Sequence, residues 1–153
     1  MTARGVTVRR GDPRSAEGRG LLGASHALLA SLYPAEDNHY LSVDELAVPH
    51  VAFWVAEDGG EALGCVALAR MDGYGEVKSL FVAPEARGRG VGAALLAALG
   101  DHARVEGIAV LRLETGDTLD AAHRLYARAG FAPCGPFGDY APGPHSVFME
   151  RAS

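Results

Sequence analysis

From the amino end, apolar and polar positions change period several times, and each change predicts an element. Val6-Thr7-Val8-Arg9-Arg10 reads as a first strand, ended by Gly11-Asp12-Pro13. Over residues 15–32, Leu21, Leu22, Leu28, Leu29 and Leu32 recur at roughly helical spacing, which predicts an amphipathic helix. Tyr33-Pro34 breaks it, because proline disfavours helical backbone at the residue before it. A polar segment over 35–40 leads to a short second helix from about Ser42, where Ser-Val-Asp-Glu fits a capping box; Pro49 ends it.

The middle of the chain switches to strands. Val51–Glu57, Leu63–Met71 and Gly75–Val82 form a predicted meander, turned by Asp58-Gly59-Gly60 and by Asp72-Gly73-Tyr74-Gly75. A glycine-rich turn follows, then a helix to about Glu106 with Gly107 as its C-cap. Ile108–Glu114 reads as a buried strand, Leu119–Ala129 as a helix closed by Gly130, and Ser146–Arg151 as a last strand. Strands in antiparallel runs with helices inserted predict an α+β fold, a mixed and mostly antiparallel sheet flanked by helices. No repeat or linker interrupts residues 1–153, so a single domain is expected.

Composition narrows the function classes. A formal charge of −5 argues against a nucleic-acid partner, which needs a basic face. No stretch is apolar for long enough to span a bilayer, and the amino end has no signal-like core; a cytoplasmic protein is expected. Cys65 and Cys134 are too few for a disulfide framework or a four-ligand zinc site, and the six His are scattered, so no metal is expected. Of the 14 basic residues only Lys78 is a lysine.

The chemistry concentrates at Arg87-Gly88-Arg89-Gly90-Val91-Gly92, between a predicted strand and a predicted helix. Such a turn presents unpaired N–H groups at the positive end of a helix dipole, a site for phosphate or pyrophosphate. It is not a Walker A loop, since no Lys-Ser or Lys-Thr follows the glycines. Nor is it a dinucleotide fingerprint, since the glycines lie mid-chain and are spaced two by two. What remains is Arg-x-x-Gly-x-Gly on Arg87, Gly90 and Gly92. Further on, Ala122-His-Arg-Leu125-Tyr126-Ala-Arg-Ala-Gly130-Phe131 has the form Ala-x-x-Leu-Tyr-x-x-x-Gly-Phe. The two motifs, in this order and one helix and one strand apart, resemble those of the GCN5-related N-acetyltransferase (GNAT) superfamily, in its small single-domain bacterial form.

The resemblance implies an acetyl-CoA-dependent N-acetyltransferase, with a splayed strand pair after Val82 holding acetyl-CoA and an amine of a small molecule or amino-acid-like compound as acceptor. It implies Arg87 to Gly92 at the pyrophosphate, and the backbone around Leu80, Phe81 and Val82 along the pantetheine arm and thioester. Tyr126 matches the family tyrosine beside the sulfur, where a phenol suits protonation of a leaving thiolate. Glu76 aligns with a glutamate that acts as base in some members, and Glu114 is a second candidate. Strand alternation puts Glu76, Lys78 and Leu80 on one face. Lys78 there either pairs with Glu76 or anchors a carboxylate on the acceptor. Acceptor contacts are expected from Tyr33 and His39 after the first helix and from Tyr140 before the last strand. The superfamily often has Asn where this chain has Leu119, seven residues before Tyr126. A non-catalytic CoA-sensing or partner-binding module on the same fold is the alternative; a homodimer is compatible with either.

Overall fold

The computed structural model describes residues 5–153. Its elements in chain order are β1 (Thr7–Arg10), α1 (Ala16–Leu32), α2 (Val43–Leu46), β2 (Val51–Asp58), β3 (Glu61–Met71), β4 (Tyr74–Val82), α3 (Val91–Val105), β5 (Val110–Gly116), α4 (Asp120–Arg128), β6 (Ala132–Cys134) and β7 (Ser146–Ala152). Ser15 caps α1 by accepting from Gly18 N–H, and Ser42 with Glu45 forms the expected capping box of α2. Seven strands make one sheet in the order β1-β2-β3-β4-β5-β7-β6. All pairs are antiparallel except β4–β5. Among the described residues, no helix is long and apolar enough to cross a membrane.

Three departures from the sequence reading have physical causes. β5 begins at Val110 rather than Ile108, because Ile108 N–H still bonds to Ala103 O in the termination of α3 at Gly107 (φ 72°). β6 was not expected: it is three residues long, contains Pro133, and lies at the sheet edge where a missing N–H is tolerated. The third lies in β4. Its register with β3 runs Ala67↔Lys78 and then Cys65↔Phe81, so β4 carries one extra residue there. Ser79 takes up that residue at φ 57°, the one non-glycine with positive φ among the described residues. Alternation therefore holds from Glu76 to Lys78 and breaks at the bulge. Leu80 is not on the Glu76–Lys78 face; it packs with the core under α3 and α4.

Apolar layers cover both faces of the sheet. Leu95, Leu96 and Leu99 of α3 and Tyr126 of α4 pack on Val66, Leu68, Val77, Leu111 and Leu113. On the opposite face, Leu21 and Leu22 of α1 and Leu46 of α2 pack on Phe53, Val55, Cys65 and Ala67. Parallel β4 and β5 pair only at Gly75↔Leu111 and Glu76↔Arg112. Beyond Glu76 they diverge, as expected. The cleft between them is the candidate site.

Candidate active site

The glycine loop joins the splayed end of β4 to α3. Gly88 and Gly90 adopt φ of 80° and 77°, backbone that a β-carbon strains. Gly90 is the N-cap of α3, and no side chain caps it. The first hydrogen bond of the helix is Ala94 N–H to Gly90 O. The amides of Val91, Gly92 and Ala93 thus point out of the helix with the dipole behind them, as an anion site requires. Gly92 has a further reason to be glycine: a β-carbon there would lie 2.5 Å from Leu125 Cδ2. The two sequence motifs touch at this point. Arg87 lines the cleft, whereas Arg89 lies outside its lining with its guanidinium 2.5 Å from Asp58 Oδ2.

The cleft has a volume of about 1190 Å³. Leu80, Phe81 and Val82 line one wall, Tyr126 and Leu125 another. Its basic residues are unevenly spread: Arg87, Arg104, Arg128 and Arg151 all come from the α3–α4 side. An elongated polyanion with an apolar arm fits this layout, its pyrophosphate at the uncapped helix end beside Arg87, its arm between the strands. Tyr126 is 7% exposed, with its ring edge-on to Phe131 at 5.8 Å. Burial, then the nearby Glu114 carboxylate, push its phenol above its ordinary pKa, so the proton stays on.

A profile of the acetyltransferase (GNAT) family matches residues 24–131. The chain belongs to the GNAT acetyltransferase family. An IAA acetyltransferase of Azospirillum brasilense is 44% identical over 148 residues, spanning 95% of this chain and 97% of its own. The Bacillus subtilis N-acetyltransferase YsnE, itself uncharacterized, is 37% identical over 121 residues, 77% of this chain and 80% of its own. A Klebsiella pneumoniae structure assigned as an acyl-CoA N-acyltransferase superposes with a TM-score of 0.82 at 35% identity, covering 96% of this chain and 97% of its own. A GNAT acetyltransferase of Elizabethkingia anophelis, solved with acetyl-CoA bound, shares the fold at TM-score 0.71 and 19% identity, over 97% and 99% of the two chains. This GNAT acetyltransferase is thus an acyltransferase, with acetyl-CoA as its co-substrate.

The side of the cleft that α3 and α4 do not cover is the candidate acceptor side, and it is built around Lys78. Its ammonium donates to Glu76 Oε2 at 3.1 Å, to Tyr140 Oη at 2.8 Å and to His39 O at 3.0 Å. Tyr140 Oη also donates to Glu76 Oε2 at 2.5 Å. Glu76 Oε2 and Tyr140 Oη lie only 2.5 Å apart and so share one side of the ammonium, while His39 O supplies a separate acceptor. Lys78 therefore pairs with Glu76, and its charge is balanced within the protein. The Lys78 and Glu76 side chains are 10% and 7% exposed. Lys78 lines the cleft and Glu76 does not. Glu114 does, with Oε2 accepting from Ser146 at 2.8 Å. Burial raises its carboxyl above the ordinary value, a shift that the Ser146 hydrogen bond and the charges of His39 and Lys78 only partly offset.

Tyr33 is buried against Gly116, and its hydroxyl accepts from Thr118 N–H at 3.1 Å and lies 2.5 Å from Thr118 Oγ1. It ties α1 to the start of α4 while lining the cleft. Of the site residues expected from the sequence, Glu76, Arg89 and Tyr140 lie outside the cleft lining, and the sequence did not single out Ser146 or the leucines Leu28 and Leu32 of α1 as part of the site. His145 bridges Asp117 at 3.3 Å and Asp37 at 3.8 Å, a link across three segments that no local pattern records. Among the described residues, no three His, Cys, Asp or Glu side chains group as a metal site.

Proposed function

We infer that this acyltransferase moves the acetyl group of acetyl-CoA onto the primary amine of a small acceptor by direct attack on the thioester. The observation that carries this reading is a protonated acid and a carboxylate on the walls of one cleft, Tyr126 and Glu114. The uncapped amides of α3 and Arg87 hold the pyrophosphate, and the backbone of Leu80 to Val82 lies along the arm and the thioester carbonyl. Attack of the amine nitrogen on the carbonyl carbon forms the C–N bond and breaks the C–S bond. Tyr126 gives its proton to the departing sulfur. Glu114, directly or through water, takes the proton that the nitrogen loses, and passage of that proton back to Tyr126 resets the site.

Glu114 suits the base role better than Glu76. A carboxyl raised toward neutrality is a more effective proton acceptor at working pH. Glu76 lies behind the lining, its charge engaged by Lys78 and Tyr140. The test is release of free thiol from acetyl-CoA with a panel of primary amines, and mass spectrometry of the products. Tight acetyl-CoA binding without an acetylated product from any amine would sink this reading. The name of the A. brasilense relative makes IAA, an acid, the acceptor of that enzyme. IAA belongs in the same panel.

A further inference from the structure

The acceptor side of the cleft combines two features that the transfer chemistry does not require. The first is an apolar stripe. Leu28, Leu29 and Leu32 lie on one face of α1 and line the cleft, yet Leu28 is 37% and Leu32 46% exposed. Leu21 and Leu22 of the same helix are buried in the core, so the stripe is a continuation of the apolar face past the sheet it covers. Tyr40, 38% exposed and stacked on His26 at 4.0 Å, lines the cleft as well.

The second feature is the distribution of charge. On this side the one lining cation other than histidine, among the described residues, is Lys78, and its charge is paired with Glu76 within the protein. The lining arginines all belong to the opposite side. Arg112, on the acceptor face, lies outside the lining, bonded to Glu150 at 3.1 Å and covered by the rings of Tyr74 and Phe137. Of the two lining histidines, His145 sits between Asp37 and Asp117, and His39 lies edge-on to Tyr140. Asp37 and Glu114 are the carboxylates facing the cleft here.

We propose that the acceptor is a primary amine with an uncharged apolar tail, aliphatic or aromatic, and that carboxylate-bearing acceptors are rejected. The tail lies on Leu28, Leu29, Leu32 and Tyr40, and the ammonium enters toward Glu114. A carboxylate on the acceptor finds no lysine or arginine there whose charge is unpaired and meets two carboxylates, so it gives up water without gaining an ion pair. This inference rests on the amine-transfer reading. It excludes the amino-acid-like half of the acceptor class expected from the sequence, and it excludes IAA.

Matched pairs test it: phenethylamine against phenylalanine, tryptamine against tryptophan, and IAA alone, each titrated into the CoA-loaded protein by calorimetry and assayed for thiol release. The apolar amine of each pair is expected to bind and to exceed its amino acid in kcat/KM by about 100-fold, the scale set by an unpaired buried charge. In a Leu28→Gln, Leu32→Gln variant, KM for phenethylamine is expected to rise about tenfold with CoA affinity unchanged, while methylamine changes little. Equal or better use of phenylalanine, tryptophan or IAA overturns the proposal, and so does a phenethylamine KM that ignores the leucines. If the amines bind selectively but no acceptor releases thiol, amine transfer fails while the tail site stands, because the calorimetric arm reads it alone.

Discussion

Two side chains in the cleft have their proton affinities shifted upward, and the two shifts have opposite uses. Burial keeps the Tyr126 proton on, as the proposed protonation of a leaving thiolate requires. Tyr126→Phe should lower kcat by roughly 10²–10⁴-fold and leave the Kd for CoA nearly unchanged, since an acid acts on the transition state; comparable turnover would reduce Tyr126 to packing. Burial raises Glu114 as well, and there the shift acts against stability. The folded protein holds that proton more tightly than the unfolded chain, so the contribution of Glu114 to stability is largest at low pH and is lost as pH rises from 4.5 through the raised folded value. Glu114→Gln keeps an acceptor for Ser146 and removes the charge. It should raise Tm at pH 7 while lowering kcat, and the acid limb of the kcat profile should disappear. Lys78→Met should be the damaging change, because it leaves Glu76 buried without its cation: about 3–5 kcal/mol of stability, read by urea denaturation, and partly restored by adding Glu76→Gln. A Lys78→Met protein of unaltered stability would mean that the ion pair matters little.

At the scale of elements, most of the architecture was legible because periodicity and punctuation agreed. The leucines of α1, the Ser42–Glu45 box and the turns on either side of β3 each fixed an element locally. The cleft was legible for another reason: two motifs, each short and local, lie on α3 and α4. What escaped depends on contacts distant in sequence. The bulge at Ser79 is invisible in Val77-Lys78-Ser79-Leu80, since a backbone in the left-handed region leaves no trace in a run of ordinary strand residues. Its effect is to reverse the face of every residue after it, which is why plain strand alternation places Leu80 on the wrong side of the sheet. Lys78 could be narrowed to two roles but not decided, because its other partners lie 39 and 62 residues away. The contact of Gly92 with Leu125 makes the spacing of the motifs a packing constraint. Gly92→Ala should push α4 outward and carry Tyr126 with it, lowering both Tm and kcat. Adding Leu125→Ala makes room for the new methyl. The two substitutions should then be non-additive by about 0.5 kcal/mol or more; strict additivity would show that the contact carries no strain.

At the scale of the whole molecule, the sheet is continuous in topology but joined at its middle by two residue pairs. Strands β1 to β4 make one half, and β5, β7 and β6 the other. The halves are held together near Gly75 and Glu76, and at their far ends by what α3 and α4 bury between them. The described chain starts at the outer edge of the first half and ends in β7 of the second. A tension applied to its two ends must therefore be transmitted across the divide, where a short run of parallel pairing carries the load that seven rungs carry between β5 and β7. Mechanically the protein is two stiff plates with a weak line between them, and the cleft proposed for the co-substrate runs along that line. In an optical trap the first rupture should separate the plates, at a force that climbs as acetyl-CoA is added and the bound molecule bridges both sides. A first rupture at the same force with and without acetyl-CoA would mean that the load is borne elsewhere. Held this way, the enzyme is a force gauge for its own ligand.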